Sequence, residues 1–296
     1  SFCPYLGKIV VGFAQVGAES AWRTANTESI ISEAKKRGIE LKYVDGQQQQ
    51  ENQIRAIRSF ITQKVDVIGF SPVVTSGWEQ VLREAKRARI PVILTDRAVD
   101  CQDDSLWVTF IGSDFVEEGR RAARWLTEKM KGKAKIVELQ GTIDSAPAID
   151  RKKGFEEVIA NYPEMKIIKS QSGDFTRSKG KEVMETFLRT EGKNIDALFA
   201  HNDDMAIGAI QTIETYGLKP GIDIVIVSVD AIRAAFEAMI EGKLNCTVEC
   251  SPLLGRQFFD AVEAIMAGKP IPKRIVIEEG VFPQEVAKDV LPIRKY

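Results

Sequence analysis

One pattern of residues occurs twice in this chain of 296, and that duplication constrains the fold more than any other feature. The first copy opens at Lys8-Ile9-Val10, with Arg23 fifteen residues on and Asp45 thirty-seven on. The second opens at Lys135-Ile136-Val137, with Arg151 sixteen residues on and Asp174 thirty-nine on. The echo continues. Val65-Asp66-Val67-Ile68 leads through a polar loop and a helix to Ile90-Pro91, then to a strand ending in Asp96-Arg97. Ile195-Asp196-Ala197-Leu198 leads in the same way to Leu218-Lys219-Pro220, then to a strand ending in Asp230. Two similar α/β halves predict two lobes facing each other across a cleft. That arrangement suits a ligand clamp better than a single-site enzyme.

Short apolar runs alternate with longer amphipathic ones, which reads as strands alternating with helices. The apolar runs, among them Ile9–Phe13, Val67–Phe70, Val92–Thr95, Ile136–Leu139, Ala197–Ala200 and Ile224–Ser228, lack period-two alternation. Such strands are buried on both faces, as in parallel sheets flanked by helices. The expected fold is therefore α/β, with two similar lobes each built on a parallel sheet. The last helix and strand, Leu253–Met266 and Arg274–Ile277, exceed a simple duplication. They are expected to cross back to the first lobe near Ser251 and return near Gly280. The lobes would then comprise residues 1–111 plus 252–280, and 112–251 plus 281–296. Three crossings, near Gly112, Cys250 and Gly280, would form the hinge, and Gly and Pro there suit segments that absorb backbone rotation.

Charge excludes several functions. The 41 basic and 42 acidic residues leave a net charge of -1, which provides no long-range field for nucleic acid or an anionic membrane. No apolar run is long enough to span a bilayer. No signal peptide is expected, because the first strand begins within ten residues of Ser1; a presequence removed earlier leaves the compartment open. The four cysteines carry no metal signature. Cys246 and Cys250, in one strand, would sit roughly 13 Å apart, beyond disulfide reach. Cys3 and Cys101 lie in loops and could pair. Gly12 and Gly17 are too widely spaced for a phosphate-binding loop, so no nucleotide cofactor is expected.

In open parallel sheets, ligands bind outside the carboxyl ends of the strands. The residues expected there are Glu19, Ser20, Trp22, Arg23, Asp96 and Arg97 in the first half. In the second they are Asp144, Asp150, Arg151, Asp174, Phe175, His201, Asn202, Asp203, Asp204 and Asp230. Arginine forks and carboxylates can each make two parallel hydrogen bonds, so they match adjacent hydroxyls. Aromatic rings such as Trp22, Phe175 and Phe13 offer apolar surface to the C–H face of a sugar ring. The mix fits a neutral sugar better than a phosphate. Each residue has another reading. Asp203 or Asp204 would serve as N-cap to a helix beginning at Met205. Trp22 and Phe175 would pack in a core or lid. Arg23 and Arg151 would lie on exposed first turns, and Asp96-Arg97 would be a local ion pair of little value. Convergence at one edge of both sheets favours the functional reading. His201, the lone histidine, lacks an evident second nitrogen or sulfur ligand. No nucleophile arrangement is present.

These residues resemble the periplasmic sugar-binding proteins of ABC importers, the branch that holds ribose and galactose. The resemblance covers nearly the whole chain. Asp96-Arg97 and Asn202-Asp203-Asp204 are shared widely in that family. Glu19-Ser20-x-Trp22-Arg23 and the stretch from Gln171-Ser172-Gly173-Asp174-Phe175 to Gly180 are narrower, and resemble its galactofuranose-binding members. The resemblance implies a two-lobed fold and no catalysis. It implies ligand contacts at Glu19, Ser20, Trp22, Arg23, Asp96, Arg97, Arg151, Asn202 and Asp230, with Phe175 as an aromatic plate. No metal or cofactor is implied. The wider family often carries Gln or Asn where this chain has Cys250, so no ligand hydrogen bond is expected from that position.

The expected protein is an extracytoplasmic monomer that binds a monosaccharide in furanose form and docks on an ABC transporter permease. It would be periplasmic, or lipid-anchored in a source without an outer membrane. A receptor for signalling and the effector domain of a repressor share this architecture. The repressor needs a helix-turn-helix of about sixty residues, whereas strand one here starts by Ile9.

Overall fold

The computed structural model describes residues 7–296. Cys3 lies outside the described residues, and so does its expected pairing with Cys101. In chain order, β1 (Val10–Gln15), α1 (Ala21–Lys36), β2 (Glu40–Asp45), α2 (Gln50–Thr62), β3 (Val67–Phe70), α3 (Glu79–Arg87), β4 (Val92–Thr95) and β5 (Thr109–Gly112) form the first alternation. The second runs α4 (Phe115–Lys129), β6 (Lys133–Gln140), α5 (Ala146–Ile159), β7 (Glu164–Ser172), α6 (Arg177–Glu191), β8 (Ala197–Ala200), α7 (Asp203–Thr215), β9 (Val225–Asp230), α8 (Arg233–Ile240) and β10 (Cys246–Glu249). The chain closes with α9 (Gly255–Met266), β11 (Arg274–Val276), β12 (Val281–Pro283) and the single turn α10 (Ala287–Val290).

By their contacts the residues fall into two compact units. One comprises the segment to Glu19, Arg23–Ser113 and Pro252–Ile277. The other comprises Ser20–Trp22, Asp114–Ser251 and Glu278–Tyr296. Each unit holds one six-stranded sheet. The orders are β2-β1-β3-β4-β5-β11 and β7-β6-β8-β9-β10-β12. The strands pair in parallel in both, except that β12 runs antiparallel to β10. The duplicated sequence thus becomes a duplicated strand order. In each sheet the order reverses beside the first strand, between β1 and β3 and between β6 and β8, and such switch points open a crevice at the carboxyl ends.

Burial on both faces explains the unbroken apolar runs. In the first sheet, Val11, Phe13, Val67, Ile93 and Ile111 face Ile30, Phe258, Phe259 and Val262. The alternate residues Ala14, Ile68, Phe70, Val92 and Leu94 face Ile57 and Phe60 of α2 and Val81 and Leu82 of α3. The second unit packs around one core containing Ile136, Leu139, Leu198, Phe199, Ile226 and Val229. Cys246 and Cys250 are buried free thiols, consistent with their expected spacing.

Two details differ from the sequence expectation. The N-cap of α7 is Asn202, whose Oδ1 accepts the Met205 N–H at 3.0 Å, rather than Asp203 or Asp204. The aspartates lie in the first turn, where the helix dipole favours them. The tail beyond 280 adds β12 and α10. Val281–Pro283 and Ala287–Val290 are too short to show a periodicity of their own in the sequence.

Candidate functional site

The first unit gathers Glu19, Arg23, Asp96 and Arg97 at the carboxyl edge of its sheet. Arg23, on the first turn of α1, is 2 % exposed, so it is not the surface residue its position allowed. Its Nη2 meets Asp96 Oδ2 at 2.8 Å and its Nε meets Glu19 Oε1 at 2.9 Å. Nη1 also reaches Gln15 Oε1 and Asn26 Oδ1, each at 3.3 Å. Burial opposes the Arg23 charge, but the two carboxylates raise its pKa above the ordinary arginine value. Arg97 Nη1 donates to the Val73 carbonyl at 3.0 Å, and its Nε lies 3.8 Å from Asp96 Oδ2. Glu19 keeps one oxygen, Oε2, buried and without a hydrogen-bond partner among the described residues. Such an acceptor suits an added hydroxyl donor.

The second unit gathers Arg151, Phe175, Asn202 and Asp230. Arg151, in α5, is also buried. Its Nε pairs with Glu118 Oε1 at 3.0 Å, Nη1 donates to the His201 carbonyl at 2.8 Å, and Nη2 lies 3.9 Å from Asp230 Oδ1. Its guanidinium lies 5.1 Å from the Phe115 ring centre and 5.9 Å from that of Phe175. Burial pushes the Asp230 carboxyl well above its ordinary value, with Arg151 pulling it back. Asn202 Nδ2 donates to the Phe175 carbonyl at 3.0 Å, so one side chain caps α7 and holds the aromatic loop. The Phe175 ring lies where a Cβ on Gly141 would stand, 2.0 Å from its Cζ. Ser20 and Trp22 belong to this unit by their contacts. Trp22 is buried, with its indole N–H donated to the Cys250 carbonyl, while Ser20 is half-buried. Asp204 accepts the Ala21 N–H at 2.7 Å and pairs with Arg177 at 2.7 Å. Asp144 is exposed and Asp150 half-buried; neither joins the cluster around Arg151.

Backbone strain marks the same edges. Among the described residues, the non-glycine positions with positive φ are Lys64, Arg89 and Lys131 behind helices, and otherwise only residues that end or follow strands. The latter include Asp96 (64°), Asp174 (58°), Phe175 (63°), Asp230 (132°) and Ala231 (64°). Each such residue costs roughly 1–3 kcal/mol and persists only where its surroundings over-determine it, commonly at functional sites.

Sequence reasoning missed several residues. Gln15, Asn26 and Glu118 complete the arginine shells. Glu138 carried a visible signal, a charge inside an apolar strand. Gly141 N–H donates to His201 Nδ1 at 3.2 Å. Nε2 therefore carries the imidazole proton and donates to Glu138 Oε2 at 2.9 Å. Burial works against the Glu138 charge, yet bonds from His201, Lys152 and Ser170 hold its pKa down to about 2. Burial also lowers the His201 pKa. The histidine is thus a neutral strut inside the unit. Glu118, Cys250 and Glu279 bring possible metal ligands within 4.8 Å of one another. Arg151 already occupies Glu118, Ser251 N–H bonds Glu279, and burial pushes the Cys250 thiol well above its usual range. A thiolate ligand is disfavoured there.

Comparison with known proteins adds the family. The model for a periplasmic binding protein domain matches residues 11–270. The chain belongs to the periplasmic binding protein family. It is 51 % identical to the galactofuranose-binding protein of Escherichia coli, over 97 % of this chain and 92 % of that one. The arabinose-transporter binding component of Shewanella sp. ANA-3, solved with α- and β-L-arabinofuranose, is 54 % identical with a TM-score of 0.94. That match covers 97 % of this chain and 95 % of the other. A Mycobacterium smegmatis protein solved with β-D-fucofuranose is 55 % identical with a TM-score of 0.94, covering 96 % and 94 %. Both sheets and their flanking helices match the type I fold of this family. Members of the family are solute-binding proteins, and membership implies an extracytoplasmic location. No helix among the described residues is long and apolar enough to cross a membrane.

Proposed function

We propose that this protein is an extracytoplasmic receptor that captures a furanose sugar and delivers it to the permease of an ABC importer. The observation that carries this reading is the pair of buried arginines. Arg23 and Arg151 stand at corresponding places in two sheets of identical order, and each is already held rigid by carboxylates. Rigid forks pay little ordering entropy when they bind a diol. Three similar proteins carry galactofuranose, arabinofuranose or fucofuranose in their names, which supports a five-membered ring as the shared ligand feature.

In this reading Glu19, Arg23, Asp96 and Arg97 contact the sugar from one sheet's edge, Arg151, Phe175, Asn202 and Asp230 from the other's, and Ser20 and Trp22, which pack with the second unit, contact it as well. The lobes are residues 1–111 plus 252–280 and residues 112–251 plus 281–296. The sugar makes both sets of contacts only when the lobes close, so it shifts the population toward the closed form that the permease accepts. The receptor works as a monomer without cofactor or catalysis, in a periplasm or tethered by a lipid.

Calorimetry with galactofuranose, L-arabinofuranose, D-fucofuranose and their pyranose forms tests the proposal. Micromolar or tighter binding of a furanose, lost by tenfold or more in Asp96→Ala and Arg97→Ala, is expected; one buried charged hydrogen bond is worth about that much. Full affinity in both variants would sink the site assignment, and no sugar binding at all would sink the function.

A further inference from the structure

The end of the chain, which shows no periodicity in the sequence, is tied to the strained loop after β9. We infer that Arg294 and Tyr296 are positioning residues for ligand binding, acting through Asp230. The inference rests on the reading that Asp230 contacts the sugar.

Asp230 and Ala231 both have positive φ, at 132° and 64°. Their peptide carbonyls are the groups that must stay turned for the loop to keep this shape. The Asp230 carbonyl accepts the Cys250 N–H at 3.2 Å and the Tyr296 hydroxyl at 2.8 Å, which fills both of its lone pairs. The Ala231 carbonyl accepts Arg294 Nε at 2.7 Å. Two consecutive strained carbonyls are therefore held by two residues of one tail.

The tail is itself rigid. Arg294 Nη1 pairs with Glu249 Oε2 at 2.7 Å, and Nη2 donates to the Tyr296 hydroxyl. The guanidinium lies 5.5 Å from the Phe236 ring centre, 5.2 Å from Phe282 and 4.3 Å from Tyr296. The Arg233 N–H donates to the Tyr296 carbonyl at 2.7 Å, and Arg233 Nη1 donates to the Arg294 carbonyl at 2.8 Å. The Tyr296 hydroxyl also lies 3.3 Å from the Cys250 carbonyl, the acceptor of the Trp22 indole. The carboxyl group of Asp230 points to Arg151 from a backbone that these bonds fix. Releasing them lets φ relax, and the carboxylate leaves the place where it meets a hydroxyl.

The test is a double-mutant cycle on the full chain, with furanose affinity by calorimetry and apo melting temperature as readouts. Tyr296→Phe should weaken binding by about tenfold, the value of one hydrogen bond. In an Asp230→Asn background the same change should have much less effect, because both act through one group. Arg294→Lys keeps the charge beside Glu249 but loses the fork, and should behave like Tyr296→Phe. A lower melting temperature with unchanged affinity well below it would make the tail merely structural and overturn the inference. Strict additivity with Asp230→Asn would overturn it too. Full affinity in Asp230→Asn alone, or no binding by the wild type, would overturn the underlying site or function reading as well.

Discussion

At the residue scale, burial decides what each charge can do. Arg23 and Arg151 could have lain on exposed turns, where an ion pair is worth little. Buried, each is held by carboxylates, and removing one partner strands a charge at a cost of about 3–5 kcal/mol. The same logic applies to Glu138. Its pKa falls from the ordinary glutamate value of 4.5 to about 2, so the folded state binds fewer protons than the unfolded chain between those values. Its contribution is fully present above about 4.5 and is lost as pH falls toward 2. His201, lowered by burial, also favours the folded state less as pH drops below the histidine value of 6.5. Asp203 works in the opposite sense. Burial raises it to about 6 against hydrogen bonds from Ser228, Ile232 and Thr247, so its contribution is present at low pH and fades as pH rises through 6. Glu138→Gln should lower stability at neutral pH by about 3 kcal/mol and flatten the loss between pH 4.5 and 2. Urea melts across that range check both.

At the element scale, α4 and α5 are brought together by two glycines. A Cβ on Gly119 would lie 2.1 Å from the Arg151 carbonyl oxygen, and one on Gly154 would lie 1.9 Å from that of Val116. The close crossing lets Glu118 on α4 reach Arg151 on α5. Gly119→Ala must push the helices apart. It should cost roughly 1–3 kcal/mol, the usual range for overpacking, and also weaken sugar binding by displacing Arg151. A melting curve and a titration on one sample separate the effects. Unchanged affinity in a stably folded Gly119→Ala would show that the α4–α5 contact does not set the position of Arg151.

At the scale of the whole molecule, duplication gives two sheets of one strand order, each with strained residues at its carboxyl edge. The near-zero net charge means that steering has little part in capture. Affinity for a neutral furanose should change by less than about twofold between roughly 20 and 300 mM salt, because nothing on the ligand is screened. A steep salt dependence would point to an anionic ligand. The bound sugar should raise the melting temperature in proportion to the logarithm of its concentration.

The sequence by itself determined the α/β class, the duplication, most strand and helix positions, and the edge at which polar residues collect. Apolar runs and their spacing are local, so they can be read from one chain. It also exposed Arg23, Asp96, Arg151 and Asp230 as candidates, because they end or follow recognisable strands. Tertiary structure alone decided that Arg23 and Arg151 are buried, that Asn202 rather than an aspartate caps α7, and that Glu138 pairs with His201. It alone placed Arg294 and Tyr296 against the loop at Asp230, 66 residues away in the case of Tyr296. Such contacts join residues far apart in sequence. Burial and positive φ are likewise fixed by what packs around a residue, and no local pattern encodes that.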